Sequence, residues 1–422
     1  MLDNLNYKKF TANLVFCLFP LSFILGNLAI NLNILAIFIV LIFFYFSEKL
    51  SFEINIFDKI LLFFFFYTFI TLIFNFIETL YETKNFEKII IFKTISYLRF
   101  LILYFVIRIL YLNKIIKIKL FYFSCAFFSV FVLLDIFIQY LFNKNLFGME
   151  AQHRHFSGVF GDEWIAGSYL QNFSLFFLFS PFFHKIKFEK KILFQLFSVI
   201  LFTIGIILSG NRMPLILFIS SFTVYFYFQN KFRKYFYISY LVFICFLTTI
   251  FFTNSTFNIN TKTFYKSSIV LLKTIYDYEN MNEAPLKIWQ KSHVTEFYCG
   301  RTVAQENLLL GGGIRSYRTY SKGCSTHPHN YYLEIIADIG LIGLIILMIL
   351  AFKLFQRVKI KYMFFEKNNI PNLNYKLTPF VIFFLTEFFP IRSTGSFFAT
   401  NNSTMIYLMM GILVSILVEK QK

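Results

Sequence analysis

A short polar run near the end of the chain carries the side chains best suited to chemistry. His327, Pro328, His329 and Asn330 follow one another and lead directly into an apolar segment that also contains Glu334. An imidazole can take up a proton near neutral pH, because its ordinary pKa is about 6.5. The run therefore predicts either a general base at His329 or, more simply, a polar cap on the following helix, with Asn330 as its N-cap. Glu334 is predicted to be structural.

Arginines at two further places could hold an anion. Arg212 ends the turn Ser209-Gly210-Asn211-Arg212 at the boundary of an apolar segment, and Arg315 and Arg318 lie three residues apart in a polar loop. The planar guanidinium stays charged and can bind two phosphate oxygens at once. Arg212 is therefore predicted to bind a phosphate group, whereas Arg315 and Arg318 face either such a group or an anionic membrane surface.

Arg99 lies in the middle of an apolar segment, with Lys93 about one to two turns before it. A charge at this depth is costly, so it usually faces a polar cavity or pairs with an acid. Arg99 is therefore predicted either to bind an anionic ligand or to pair with Asp135 or Glu387, the acidic residues of two other apolar segments.

The composition shows that membrane helices must position these residues. Hydrophobic residues make up 58% and charged residues 15% of the 422 residues, against about 45–50% and about 25% in soluble domains. So much apolar surface excludes both a soluble globular chain and a disordered one. The net charge of +18 would suggest nucleic acid in a soluble protein. Here it is ascribed mostly to membrane topology, and no nucleic-acid partner is predicted.

The chain is predicted to be an all-α polytopic membrane protein with about twelve transmembrane helices, since about 20 apolar residues cross a bilayer. The predicted spans are 11–30, 32–46, 59–77, 89–109, 120–140, 165–183, 192–209, 213–228, 235–252, 331–352, 376–390 and 404–418. Lys and Arg concentrate in alternate loops, which places both termini in the cytoplasm. The chain thus divides into spans one to nine (1–252), a large outer loop (253–330) and spans ten to twelve (331–422).

Two outer segments are predicted to carry function, because long loops in compact membrane proteins usually do. The loop 253–330 should form amphipathic helices over the outer face, and Cys299 and Cys324 could form a disulfide there. The segment 141–164 holds Asp162 and Glu163, and also His153 and His155. These histidines lack a carboxylate at metal-ligand spacing, so a polar lid is the better interpretation and no metal is predicted.

Several motifs resemble the bacterial O-antigen ligase and O-antigen polymerase superfamily. His329-Asn330, followed after nine residues by Gly340-Leu341-Ile342-Gly343, is similar to its His-(Asn/Ser/Gln)-x9-Gly-x-x-Gly pattern. The turn 209–212 resembles its Ser-x-x-Arg motif, and 311–318 resembles its Gly-x-Gly element before an aromatic residue. Thr394-Gly395-Ser396-Phe397-Phe398 resembles its C-terminal outer segment. One departure is Gly161-Asp162-Glu163, where many members have Asn-Pro-Asn, which puts acceptor recognition in question.

The resemblance implies a GT-C-like fold and a membrane glycosyltransferase. Such an enzyme moves a glycan from undecaprenyl diphosphate to a hydroxyl of lipid A core or another glycan, at the periplasmic face of the bacterial inner membrane. It also implies metal-independent, inverting transfer without a cofactor, with membrane lipids as surroundings. In this reading His329 is the general base, and Arg212, Arg99 and Arg315 bind the diphosphate. The predicted substrate- and acceptor-binding residues are His327, Asn330, Arg318, Asp162 and Glu163.

Three alternatives remain at the level of sequence. An O-antigen polymerase would use the same donor to join repeat units on the lipid carrier, although the Gly-x-x-Gly ending favours the ligase branch. A polysaccharide transporter or flippase would carry charges at several mid-membrane positions and broken helices in symmetric halves. A non-catalytic assembly protein would not need the histidine and arginines at the membrane interface.

Overall fold

The computed structural model describes residues 2–81, 88–151, 155–180, 188–228, 292–320, 327–367, 371–390 and 395–419, with scattered positions between 241 and 269. Contacts divide the chain into two units, Met1–Phe121 with Gln290–Lys422, and Tyr122–Trp289. Each unit is described below by itself.

Among the described residues of the first unit, every regular element is a helix. Its elements are α1 (Leu2–Cys17), α2 (Phe19–Leu25), α3 (Asn27–Ser47), α4 (Ile56–Tyr81), α5 (Lys88–Leu112), the start of α6 (Ile118–Phe142), α10 (Ser292–Glu306), α11 (Ser316–Tyr320), α12 (Tyr331–Lys367), α13 (Pro371–Glu387) and α14 (Thr400–Val418). Helix α14 contains no charged residue and is almost wholly buried. It packs along α5, where Gly411 brings the two backbones together.

The second unit contains the rest of α6, a 3-10 turn (Gly158–Phe160), α7 (Ala166–Leu178), α8 (Phe188–Leu208) and α9 (Arg212–Phe228). A polar network fixes the segment after α6. The buried Asp135 accepts the Leu146 backbone N–H at 2.8 Å. Asn145 donates to the Gly158 carbonyl at 2.9 Å, and Gln139 accepts the Gly158 N–H at 2.8 Å. This polar network keeps the segment between α6 and α7 in place.

Seven described helices are long and apolar enough to cross a membrane. Their ranges are Tyr7–Leu25, Asn27–Ser47, Ile56–Ile77, Lys88–Leu112, Ile118–Phe142, Tyr331–Phe364 and Thr400–Val418. Leu193–Leu208 and Arg212–Thr223 are shorter apolar helices. The polytopic all-α character is therefore confirmed. The predicted span 235–252 falls largely outside the described residues, so the number twelve stays a prediction.

Two predicted boundaries differ from the structure, and glycine explains the first. The sequence places the first break near residue 31, but the chain breaks at Gly26, which has φ +92° and separates α2 from α3. The second difference concerns α12, which continues past its predicted end at 352 to Lys367. It also contains a kink at Gly340, with φ +71° and ψ +178°.

Candidate functional site

The polar run 327–330 ends at the first residue of α12. The side-chain oxygen of Asn330 accepts the backbone N–H groups of Tyr332 and Leu333 at 3.0 and 3.2 Å. Its amide nitrogen donates to the Pro390 carbonyl at 3.0 Å. The prediction that Asn330 is the N-cap is confirmed. Because both ends of its amide are engaged, Asn330 fixes the direction in which the chain enters α12.

Both imidazoles lie beside this cap. The rings of His327 and His329 are 4.2 Å apart between centroids, at an interplanar angle of 56°, and both residues are partly exposed. His329 has φ +50°, a left-handed conformation that residues other than glycine rarely adopt. Such conformations persist only where the surrounding structure enforces them, and they cluster at functional sites. The fold therefore holds the candidate general base in a costly conformation.

Glu334, one turn into α12, fastens a neighbouring segment to the helix. Its buried carboxylate accepts the Ser396 hydroxyl and the Phe397 backbone N–H, each at 2.5 Å. Ser396 and Phe397 belong to the motif that precedes α14. These contacts support the structural role predicted for Glu334, while Thr394 lies outside the described residues.

Asp338, one turn further along α12, holds the segment that carries two candidate arginines. One carboxylate oxygen accepts the Arg315 backbone N–H at 2.7 Å, and the other accepts the Ser316 hydroxyl and the Tyr317 N–H at 2.9 Å each. Arg315 itself has φ +81°. Asp338 was not singled out from the sequence. The available signal was a second acid four residues after Glu334 within an apolar run.

Gly340 of the His motif accommodates a loop. Gly312 and Gly313 donate their backbone N–H groups to the carbonyls of residues 337 and 338 at 2.9 and 2.7 Å. Beyond the kink, Leu341 donates to the Leu308 carbonyl at 2.8 Å. A Cβ at Gly340 would lie 2.1 Å from the Leu309 oxygen. A close approach therefore exists at Gly340, and its partner is the loop 307–313.

Four cations gather at this end of the first unit. The ammonium group of Lys93 lies within electrostatic range of Arg315, Arg99 and Arg318. Partial desolvation, and then the charge of Arg318, lower the pKa of the Arg315 guanidinium below its ordinary value. Among the described residues, no acidic side chain forms an ion pair with any of the four. Like charges held together without counter-ions provide a site for an anion.

Among the described residues, the structure shows Arg99 with neutral partners. Its guanidinium donates to the Ser96 carbonyl and the Thr400 hydroxyl, each at 3.0 Å, and lies 4.5 Å from the centroid of the Phe100 ring. The two carboxylates predicted as its partners bind other groups. Asp135 accepts the Leu146 backbone N–H, and Glu387 accepts the Tyr331 hydroxyl at 2.7 Å. In the described part of the chain, the predicted ion pair of Arg99 is absent.

Helix α10 lies within the segment 253–330 that was predicted to be an outer loop. Cys299, Val303 and Ala304 face a small apolar cluster with Tyr317 and Ala337, while Thr302, Gln305 and Glu306 are exposed. Cys299 is disulfide-bonded. Its predicted partner, Cys324, lies outside the described residues, so that pairing stays a prediction.

Arg212 belongs to the second unit, where it is the first residue of α9 and is partly buried. The turn before it is fixed by Asn211, whose side chain accepts the Gly167 backbone N–H at 2.9 Å and donates to the Trp164 carbonyl at 2.8 Å. Ser209 binds the same Asn211 side chain at 3.1 Å. Arg212 therefore starts from a rigid turn that is tied to the preceding segment.

The segment that meets this turn holds the other predicted polar residues. His155 contacts the Ser209 carbonyl through Nδ1 at 3.2 Å, and its ring fills the space where Gly210 lacks a Cβ. Asp162 and Glu163 are exposed. Residues 152–154, including His153, lie outside the described residues. In the part of the chain that the structure describes, no three His, Cys, Asp or Glu side chains are arranged to hold a metal ion.

Residues 197–348 match the sequence model of a family described as O-antigen ligase. This match supports assignment of the chain to the O-antigen ligase/polymerase superfamily. The matched segment contains Arg212, Arg315, His329 and Gly340, whereas Arg99 precedes it. No curated protein matches the chain. Superfamily membership supports a ligase- or polymerase-type function, with a lipid-linked glycan and an acceptor as the general substrates.

The predicted site residues thus fall in two places. His329, the glycine loop, Arg99 and Arg315 lie in the first unit. Arg212, Asp162 and Glu163 lie in the second unit, on two segments joined by hydrogen bonds. No local signal in the sequence brings Lys93 into the site, because the loop residues Arg315 and Arg318 lie far later in the chain.

Proposed function

We propose that this protein transfers a glycan from undecaprenyl diphosphate to an acceptor hydroxyl at the periplasmic face of the inner membrane, as an O-antigen ligase does. The observation that carries the proposal is the cluster of Lys93, Arg99, Arg315 and Arg318 without acidic partners among the described residues. Superfamily membership makes a lipid diphosphate the natural anion for this cluster.

The leaving group explains the need for fixed cations. When the bond between the sugar's anomeric carbon and the phosphate oxygen breaks, the electron pair stays on the diphosphate. Preorganised positive charges stabilise this developing charge more than they stabilise the bound donor, and that difference accelerates the reaction. We assign this role to Arg99, Arg315 and Lys93, while Arg212 stays a predicted phosphate-binding residue of the second unit. The cations supply the needed charge, so the proposal includes no metal step.

His329 is assigned the role of general base. The acceptor oxygen attacks the anomeric carbon as the imidazole takes the hydroxyl proton, and this single displacement inverts the configuration. Asn330 uses both ends of its amide within the fold, so we assign it to positioning His329. The remaining predicted acceptor-binding residues are His327, Arg318, Asp162 and Glu163.

The experiment is complementation of a deletion strain, read as a gel of its lipopolysaccharide. Wild type should restore the full ladder. His329→Ala should reduce transfer by about 10²- to 10⁴-fold, the usual contribution of a general base. Arg357→Ala is the matched control, because Arg357 is an exposed cation in the distal half of α12 and should restore the ladder fully.

The deletion strain itself distinguishes the branches of the superfamily. Bare core with accumulating lipid-linked chains would identify a ligase, and core bearing one repeat unit would identify a polymerase. An unchanged ladder in the deletion strain would contradict the O-antigen assignment. Full activity of His329→Ala would remove His329 from the chemistry.

A further inference from the structure

Trp164 is a half-exposed aromatic residue whose indole ring is supported from behind. The ring stacks on His155 with centroids 4.4 Å apart and an interplanar angle of 24°, and 51% of the residue is exposed. A flat ring that is covered on one face and half exposed overall presents its other face outward. Neither the family motifs nor the proposed mechanism uses this ring.

The position of Trp164 is fixed by the turn that precedes Arg212. Its carbonyl accepts the Asn211 side chain at 2.8 Å, and His155 is held at the same turn through the Ser209 carbonyl. The His155 ring fits against Gly210, where an added Cβ would lie 2.0 Å from it. The indole is therefore preorganised, and ligand binding does not have to include the entropic cost of fixing this side chain.

Charged residues lie close to Trp164 along the chain and next to the turn that holds it. Asp162 and Glu163 immediately precede Trp164 and are both exposed, while Arg212 begins the helix after the turn. Carboxylates accept hydrogen bonds from several hydroxyl groups at once, since each has about four lone-pair sites. An open aromatic face beside such acceptors matches a pyranose ring, which offers an apolar C–H face and a rim of hydroxyls.

We propose that Trp164, with Asp162 and Glu163, forms a sugar-binding subsite next to Arg212. The sugar ring stacks on the free face of the indole, and the carboxylates bind its hydroxyls. This inference rests on the proposed function, because a glycan attached to a diphosphate at Arg212 would begin beside this ring.

Anchoring of Trp164 in the membrane interface is the competing explanation. Tryptophan is common at membrane interfaces, but interfacial segments attracted to anionic lipid are usually basic. Two consecutive carboxylates beside Trp164 oppose that attraction. The neighbouring charges therefore favour a polyhydroxylated ligand over lipid.

Intrinsic fluorescence can test the subsite, because the chain contains only two tryptophans, Trp164 and Trp289. Trp289→Phe leaves Trp164 as the single tryptophan, whose fluorescence is excited selectively over that of the tyrosines. This variant, purified full-length in nanodiscs, is titrated with soluble oligosaccharides cut by mild acid from the producing organism's own surface polysaccharide. We expect a saturable change in emission. Trp164→Leu should weaken binding of the same oligosaccharides by roughly five- to tenfold, measured by calorimetry, while Trp164→Phe should retain most of it.

Two controls keep this test separate from that of the proposed function. Binding is measured again with His329→Ala added, so a failure of catalysis leaves the binding result unaffected. The nanodiscs are also prepared with brominated lipid, which quenches tryptophans in contact with acyl chains. Emission that ignores the oligosaccharides, or that is quenched by brominated lipid, would overturn the subsite. Equal affinity of Trp164→Leu and wild type would overturn it as well.

Discussion

Helix α5 carries two arginines that meet opposite surroundings. Arg108, near the end of the helix, is fully buried and forms an ion pair with the equally buried Asp58 of α4. Tyr104 donates its hydroxyl to the same carboxylate at 2.7 Å, and the Arg108 guanidinium lies 4.9 Å from the centroid of the Phe52 ring. Arg99, nearer the start of α5, contacts no carboxylate among the described residues.

The surroundings of the two arginines differ because the nearby acids bind different groups. At the Arg108 end of α5, the carboxylate of Asp58 forms an ion pair with the arginine side chain. At the Arg99 end, Glu334 and Asp338 bind backbone N–H groups and hydroxyls instead. These acids hold the segments that surround the site while leaving Arg99 available to an external anion. Of the two arginines of α5, the one with a described acidic partner is therefore predicted to support the fold, and the other to support binding.

The largest expected effect is on stability at the paired end. Arg108→Ala leaves Asp58 buried without its counter-ion, which typically costs about 3–5 kcal/mol. We expect this variant to lose most of its folded protein, measured by fluorescence-detected size exclusion after heating in detergent. The double variant Asp58→Leu/Arg108→Met removes both charges and should recover much of the loss. A stable Arg108→Ala protein would contradict the role assigned to this pair.

A smaller effect, on activity alone, is expected at the unpaired end. Arg99→Gln should lower transfer by roughly 10- to 100-fold, since a hydrogen bond to a charged group contributes about 1.5–3 kcal/mol. The thermal midpoint should change little, because no carboxylate is left unpaired. Arg99→Lys keeps the charge but loses the planar guanidinium, so its transfer activity should lie between those of wild type and Arg99→Gln. If Arg99→Gln unfolded the protein as Arg108→Ala does, the distinction between the two ends would fail.

The smallest effect is expected at Arg318, the exposed member of the cluster. Exposed charge pairs contribute little, so Arg318→Gln should weaken donor binding by at most about fivefold. The deficit should shrink further as salt is raised, because exposed charges are screened. Measuring the donor KM at low and high salt tests this ranking. A salt-independent loss as large as that of Arg99→Gln would place Arg318 in contact with the diphosphate.

The sequence predicted those elements that depend only on neighbouring residues in the chain. Apolar length identified the spans that the structure describes, and Asn330 was recognised as a cap because its partners are two and three residues away. The break at Gly26 differs from the predicted one near residue 31, where Asn31 and Asn33 interrupt the apolar run. Gly26 itself is a signal for a break between two helices at this position.

The site itself depends on contacts that the sequence does not display. Asp338 binds residues more than twenty positions earlier, and the acid that pairs with Arg108 lies on another helix. Arg99 and Arg108 both lie in the same apolar segment, so the sequence alone does not distinguish their surroundings. Only the packing of α4, α5 and α12 shows which of them has an acidic partner.

The docking of the loop 307–313 at the kink of α12 has a consequence for making hybrid enzymes. A Cβ at Gly311 would lie 2.4 Å from the Gly340 nitrogen, and a Cβ at Gly340 would meet the carbonyl of Leu309. Neither glycine tolerates a side chain while the other segment stays in place. A loop transplanted from a homologue will therefore be accepted only together with its own α12 start. In recombination between relatives, residues from 307 through 343 should be exchanged as one inseparable block.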